Sequence, residues 1–462
     1  MSSGLPGELA ANAWDGERVA RGILDAQRAR AFALGPSPVG RLMKPSPANE
    51  RNWSDKRVGW GIVLFDDPDV PVAERARADD APEPIRRLVA SRKHARVLRW
   101  RPQLGPMVLA DYASGKETPV PIGGAPAGAA GLPRYLLLYG GPDVLPWSLQ
   151  YLLNAGNYVG RLDLDGDGLQ NYVSALLSGW PDSDARYDRP VVWATDFGGD
   201  DMTTIMREKI ADPLVAALRD DGDMADLRVL KQEAATAGAL AESLAAATPA
   251  LVVTTSHGQT GPPSDPNAMR ANLGALVDQH HALVNPGDLL DAWQPDGAIW
   301  YAHACCSAGA DAPSAFAELF ETGSGLRAVL DGVAAIGPSV APLPRALLGA
   351  KRPLRAFIGH VEPTFEWTIR FPYSGQALTA SIVTALYDGL CDGEAAGYAT
   401  RRIWSPMGQL GAAMEQARQL VAGRRHQREA ALKSLLYLQV VWRDRGSTVV
   451  LGDPTAALPL PD

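Results

Sequence analysis

Two short apolar runs, each stopping at a side chain able to do chemistry, constrain this chain most. Leu251-Val252-Val253-Thr254-Thr255 leads into Ser256-His257-Gly258, and Ile299-Trp300-Tyr301-Ala302-His303 leads into Ala304-Cys305-Cys306-Ser307-Ala308-Gly309. Apolar runs of this length without polar alternation belong to strands buried on both faces, the condition of a parallel sheet covered by helices. In such sheets the working edge lies beyond the carboxyl ends of the strands, so an imidazole and a thiol are expected to meet in one crevice. The glycines beside them permit close backbone approach.

The surrounding pattern supports the same architecture. From Pro190 onward strands at Val191–Thr195, Leu227–Leu230 and Leu251–Thr255 alternate with helical stretches at Met202–Leu218 and Ala237–Ala247, the latter capped by Thr236. Further strands are expected at Ala298–Ala302, Val333–Ile336, Arg355–Ile358 and Ser447–Leu451, the last after a helical region from Ser405 to about Val441. Repeated strand-helix units imply an α/β fold: a mainly parallel sheet with right-handed crossovers, flanked by helices. The 462 residues exceed the length at which one core stops growing, roughly 250–300. Strands at Val58–Phe65, Ala95–Trp100 and Tyr135–Tyr139 therefore suggest a smaller α/β subdomain over 57–188, ahead of a domain over 189–462. Residues 1–56 read as an N-terminal extension with a helix from Glu17 to Phe32, broken afterwards by Pro36, Pro38, Pro45 and Pro47, and the stretch Pro119–Pro133 reads as a surface loop.

Composition excludes several functions. A net charge of −8 with scattered Lys and Arg gives no basic field for nucleic acid. No apolar run approaches 18 residues and the first residues lack a basic segment followed by an apolar one, so neither membrane insertion nor export is expected and the location reads as cytoplasmic. Cys305, Cys306 and Cys391 are the only cysteines, two of them adjacent, a poor basis for disulfides and a fit to a reducing compartment. No phosphate-cradling G-x-x-x-x-G-K-[ST] sequence occurs. Asp163-Leu164-Asp165-Gly166-Asp167-Gly168 matches half of a calcium loop, with Asn171 at position nine, but Ser174 stands where the closing bidentate carboxylate belongs. A zinc site from His303, Cys305 and Cys306 lacks the usual spacing of paired cysteine ligands. No metal and no cofactor are expected.

What remains is nucleophilic chemistry. A thiolate attacks a carbonyl once a neighbouring imidazole has taken its proton, and the imidazole later protonates the leaving amine. His257 and Cys305 supply those groups. Strand alternation sends Cys305 and Cys306 to opposite faces, so only one of them meets His257.

The motifs also resemble a known group. Ser256-His257-Gly258 and Ala304-Cys305, 48 positions apart from 257 to 305, are similar to the histidine and cysteine signatures of caspase-like peptidases, the superfamily of caspases, gingipains, legumain, separase and CHAT proteins, where the histidine of caspases precedes the cysteine by roughly 50. Tyr135-Leu136-Leu137-Leu138-Tyr139-Gly140-Gly141-Pro142 with Pro146, then Val159-Gly160-Arg161-Leu162, and the late Val449-Val450-Leu451-Gly452-Asp453-Pro454 resemble gingipain-type segments. The resemblance implies a caspase-like fold and a cysteine endopeptidase working through an acyl-enzyme on protein or peptide substrates, with an oxyanion hole from the Gly258 and Cys305 backbone N–H groups. The alternative is a catalytically silent scaffold or regulator on the same fold, with a protein partner that the sequence does not name. Two further side chains are placed at the substrate edge: Asp196, ending the strand Val191–Thr195 and suited to pair with lysine or arginine at the cleaved residue, and His360, after Phe357-Ile358-Gly359.

Overall fold

The computed structural model describes residues 7–33, 48–102, 108–119, 131–371, 375–422 and 425–460. Strands β1 (Glu8–Trp14) and β2 (Val19–Ile23) form an antiparallel hairpin. They are followed by β3 (Trp60–Phe65), β4 (Arg96–Trp100), β5 (Val108–Asp111), β6 (Lys116–Pro119), β7 (Tyr135–Tyr139) and β8 (Tyr158–Leu162). The rest are β9 (Val191–Ala194), β10 (Arg228–Lys231), β11 (Leu251–Thr255), β12 (Gly258–Gln259), β13 (Ile299–His303), β14 (Gly309–Ala310), β15 (Ser339–Val340), β16 (Ala356–His360) and β17 (Thr448–Gly452).

Twelve of these make one sheet in the order β10-β9-β11-β13-β16-β17-β8-β7-β3-β4-β5-β6. Neighbours run parallel except at β16/β17, β4/β5 and β5/β6, so the mainly parallel α/β sheet expected from the alternation is present. The period of two explains why the strands read as continuously apolar. Trp193, Val252, Trp300 and Ala302 enter one core with Leu240 and Leu244 of the helix Ala237–Ala247. Val192, Val253, Ile299 and Tyr301 enter another with Leu214, Val215 and Leu218 of the helix Asp212–Asp220.

The expected boundary near residue 188 is not a break in this sheet. The C-terminal strand β17 is inserted between β16 and β8, antiparallel to the first and parallel to the second. Hence β8, β7, β3 and β4 run opposite to β9, β11, β13 and β16, and their carboxyl ends emerge at the other edge. The turn after β17 fastens the seam. A Cβ on Gly160 would lie 2.1 Å from the Gly452 carbonyl oxygen, so only glycine lets the strands close. Asp453, fully buried, accepts from Trp60 Nε1 at 3.2 Å and from the Thr455 N–H at 2.8 Å, with Arg92 at 3.6 Å.

Several expectations are corrected. The run Val333–Ile336 closes the helix Gly325–Ala335, whose buried residues Leu326, Val329, Leu330 and Val333 follow helical spacing; four apolar residues alone do not separate strand from helix. In the extension, only Ala26–Ala33 is helical, because Val19–Ile23 is drawn into pairing with β1; tertiary pairing overrides local propensity. The long C-terminal helical region comprises two helices, Met407–Ala422 and Arg425–Gly446. The acidic motif at Asp163 is the junction between β8 and the helix Gly166–Ser178, which places Asn171 and Ser174 inside a helix and not in a ligand loop. Pro36, Pro38, Pro45 and Pro47 and most of the stretch Pro119–Pro133 lie outside the described residues. Among the described residues no helix is long and apolar enough to cross a membrane, and no three His, Cys, Asp or Glu side chains converge as for a metal ion.

Because Asp453 joins both halves through buried charged hydrogen bonds, Asp453→Ala should cost about 3 kcal/mol, leaving Arg92 and the Trp60 N–H without their acceptor. Urea unfolding monitored by tryptophan fluorescence measures this.

Candidate active site

Strands β11 and β13 pair in parallel from Leu251↔Ile299 to Thr255↔His303, so the two motifs leave the sheet at the same height. The Ser256 N–H donates to the His303 carbonyl at 3.3 Å. One step on, the backbones touch: a Cβ on Gly258 would fall 1.9 Å from the Cys305 carbonyl oxygen. Glycine is therefore required after His257 for steric reasons.

His257 is fully buried, and its Nε2 lies 3.1 and 3.2 Å from the two carboxylate oxygens of Asp201. Its Nδ1 is buried with no hydrogen-bond partner. Asp201 is fixed in turn as the N-cap of the helix Met202–Met206, accepting from the Thr203 N–H at 2.8 Å. Burial works to raise the Asp201 pKa, but the hydrogen bond and charge of His257 and the bonds from Thr203 outweigh it and hold the carboxyl below its ordinary range. A carboxylate so placed fixes the imidazole orientation and favours a proton on Nε2, leaving Nδ1 as the free base.

The alternation argument for the thiols does not survive. β13 ends at His303, and Cys306 takes a left-handed backbone with φ 53°, so a turn begins at the motif. Both thiols are fully buried in the same apolar cluster. Their partners distinguish them. Cys305 Sγ accepts from the Thr364 N–H at 3.2 Å, whereas Cys306 lies beside Glu362, its N–H donating to the Glu362 carbonyl at 3.0 Å. Burial pushes the pKa of both thiols well up, with the neighbouring Cys306 adding to the rise at Cys305 and Glu362 adding to it at Cys306. Both are neutral in this closed state.

The other two predicted residues are occupied elsewhere. The Asp196 carboxylate accepts from Arg207 Nε at 2.8 Å, from Gln232 Nε2 at 3.2 Å and from the Gly198 N–H at 3.0 Å, and also from Thr204 Oγ1. It is an internal ion-pair partner, not an open pocket carboxylate. His360 is buried with Nε2 3.3 Å from His303 Nδ1, and burial drives its pKa down to about 4. It supports the sheet edge and does not line a groove.

Sequence reasoning missed three participants. Asp201 followed a glycine pair and carried one usable signal, an Asp two residues before a threonine at a helix start. Thr364 and Trp14 carried none. Strand β1 crosses the site, parallel to β12 in the register Ala13↔Gly258 and Trp14↔Gln259, with the Thr260 N–H donating to the Trp14 carbonyl at 2.9 Å. On its other side the Asn12 N–H donates to the Thr364 carbonyl at 2.7 Å and Ala11 bridges antiparallel to Phe365. The Trp14 ring stacks on His281 at 4.5 Å and lies 6.1 Å from His257, while Phe197 lies 5.5 Å from His257. A surface concavity of about 780 Å³ lined by Asp165, Arg270 and Arg345 contains none of these residues. The site itself is sealed.

No family model matches the sequence, and no curated protein is found similar to it. Among solved structures the chain is similar to the Arg-specific cysteine proteinase gingipain R, with a TM-score of 0.43 at 12% identity over 87% of this chain and 79% of that one.

Two outcomes follow from the geometry. Gly258→Ala should destabilise the fold by about 3 kcal/mol, since the intruding atom meets backbone on a neighbouring strand end, and thermal melting measures it. Glu362 is held protonated by burial, its pKa raised from 4.5 to about 8, with Asp311 nearby adding to the rise and the bonds from Ser314 and the Ala315 N–H opposing it. A folded pKa above the unfolded one means that this group's contribution to stability is complete below about 4.5 and is lost as pH rises through about 8. Glu362→Gln should therefore flatten the fall in stability between those pH values, as read from urea midpoints at a series of pH values.

Proposed function

We propose that this chain is a cysteine endopeptidase in which Cys305 is the nucleophile, His257 the proton carrier and Asp201 the residue that positions the imidazole. The observation that carries the reading is the state of His257. One ring nitrogen is bound to a carboxylate and the other is buried without a partner, on a strand end level with Cys305. A structural histidine buried this deeply satisfies both nitrogens.

The chemistry follows. Nδ1 of His257 takes the thiol proton as Cys305 Sγ attacks the carbonyl carbon, a step that a neutral buried thiol needs because it holds no standing thiolate. The N–H groups of Gly258 and Cys305 stabilise the oxyanion, and Asp201 stabilises the imidazolium that forms. His257 then protonates the leaving amine, and water cleaves the thioester. The substrate is an extended protein or peptide segment lying between β12 and Thr364–Phe365. Preference for basic residues loses its support, because a substrate cation would have to displace Arg207 from Asp196. Three cysteines, all free, suit a reducing cytoplasmic setting.

The complete burial of His257 and Cys305 favours the second reading, a silent scaffold. Labelling with an acyloxymethyl-ketone peptide separates the two, since a silent site stays unmodified. Cys305→Ala should abolish labelling and turnover, whereas Cys306→Ala should retain most of both at some cost in stability. Asp201→Asn should lower kcat by roughly 10²–10⁴-fold with the thiol still alkylated slowly, as expected for loss of the orienting carboxylate. Turnover retained in Cys305→Ala but lost in Cys306→Ala would reassign the nucleophile.

A further inference from the structure

The strand that seals the site is arranged as a substrate. Between β12 on one side and Thr364–Phe365 on the other, β1 is the only chain in the cleft among the described residues, and it runs straight across the two motifs. In a parallel ladder each residue on one strand bonds alternately to the residues flanking its partner. With the Thr260 N–H on the Trp14 carbonyl and the register Ala13↔Gly258, the preceding rung directs the Gly258 N–H at the Asn12 carbonyl. That N–H is one of the two oxyanion donors. Antiparallel pairing to the opposite wall, through the Asn12 N–H and the Thr364 carbonyl at 2.7 Å, fixes the residue from its other side. Cys305 Sγ meets the same Thr364 carbonyl, at 3.8 Å. The Asn12 carbonyl carbon thus sits between an oxyanion donor and the thiol.

The side chain is seated as well. Asn12 is fully buried, its Nδ2 donating to the Ser256 carbonyl at 2.7 Å, with Met206 Sδ at 3.2 Å, while its Oδ1 has no partner. A buried primary amide next to the histidine, on a strand otherwise made of Leu9, Ala10, Ala11 and Ala13, is costly unless the position uses it.

We propose, on the strength of the peptidase reading, that this chain is its own first substrate and cleaves the Asn12–Ala13 bond. Cys305 Sγ attacks the Asn12 carbonyl carbon, and the thiol proton passes to His257. The C–N bond to Ala13 breaks, and His257 returns the proton to the Ala13 nitrogen, which becomes a new amino terminus. The thioester that holds the segment ending at Asn12 is hydrolysed by water, restoring the thiol and releasing that segment as a carboxylic acid. Departure of the strand opens the track between β12 and Phe365, while Ala13 and Trp14 stay on the β12 side. The primary pocket accepts an uncharged amide side chain.

The test uses the full chain. Intact mass and N-terminal sequencing of purified protein during incubation should reveal a chain beginning at Ala13, formed at a rate that dilution does not change. Cys305→Ala should show none of it. Asn12→Leu, similar in shape and apolar, keeps the strand packed and should slow the cut at least 100-fold. A second measurement guards against a misread fold: a site for a sequence-specific protease is inserted in the exposed turn at Gly16–Glu17, and the cut protein is treated with a Leu-Ala-Ala-Asn acyloxymethyl ketone. Faster alkylation of Cys305 after that cut, together with the Ala13 terminus in uncut protein, supports the proposal. An intact N-terminus in a protein whose Cys305 is alkylated after the turn is cut overturns self-cleavage and leaves the peptidase reading standing. No alkylation in either state, with native circular dichroism, overturns both.

Discussion

The in-register parallel pairing of β11 with β13 is the constraint on which the rest of the site depends. It brings His257 and Cys305, 48 positions apart, to one height at one edge, and it does so through backbone hydrogen bonds that no side chain can shift. The pairing is secured by what it buries. Trp193, Trp300 and Tyr301 are fully covered on the two faces, so sliding the strands by one residue would send each of them to the wrong core. Gly258 then lets the strand ends touch, which sets the spacing of the N–H groups as firmly as a covalent link would.

A second layer of buried polar groups holds the opposite wall of the cleft. Asp444, on the helix Arg425–Gly446, accepts from Thr364 Oγ1 at 3.0 Å, the Phe365 N–H at 2.9 Å and Thr368 Oγ1 at 2.7 Å. It therefore positions the loop whose N–H meets Cys305 Sγ. Behind it, His360 and His303 contact each other edge to face, with rings 4.6 Å apart, and the Tyr301 hydroxyl lies 2.9 Å from His303 Nδ1. Burial lowers the pKa of both imidazoles, so they serve as neutral hydrogen-bonding groups and add no charge against the thiol. The chain's chemistry-bearing histidine is thus distinguished from its structural ones by surroundings: His257 has a carboxylate on one nitrogen, and His303 and His360 have each other.

The resemblance motifs acquire separate physical meanings. Val159-Gly160-Arg161 and Val449-Val450-Leu451-Gly452-Asp453 are far from the thiol in role: they form the seam at which β17 joins two oppositely directed half-sheets. Arg161 is buried there, its Nε donating to Gln150 Oε1 at 3.0 Å and its Nη1 to the Gly140 carbonyl at 2.9 Å, beside the Trp147 ring. These residues preserve the sheet that aligns β11 with β13, which is a structural reason for a sequence pattern to travel with a catalytic one.

The amino-acid sequence alone determined the class of fold, the strands on either side of both motifs, and the identity of the thiol and imidazole, because each is written in local periodicity and in residue types that few other tasks require. It misjudged Val333–Ile336 and Glu17–Phe32, where short apolar or mixed segments suit either period and the neighbour decides. It also misplaced Asp196 and His360, since a residue at a strand end is visible in sequence but its partner, Arg207 or His303, is not. Only the tertiary structure decided that Asp201 orients His257, that Thr364 faces Cys305 and that β1 fills the cleft. Those contacts join residues from 56 to more than 240 positions apart, and nothing in the chain's local chemistry encodes which distant backbone will close on which.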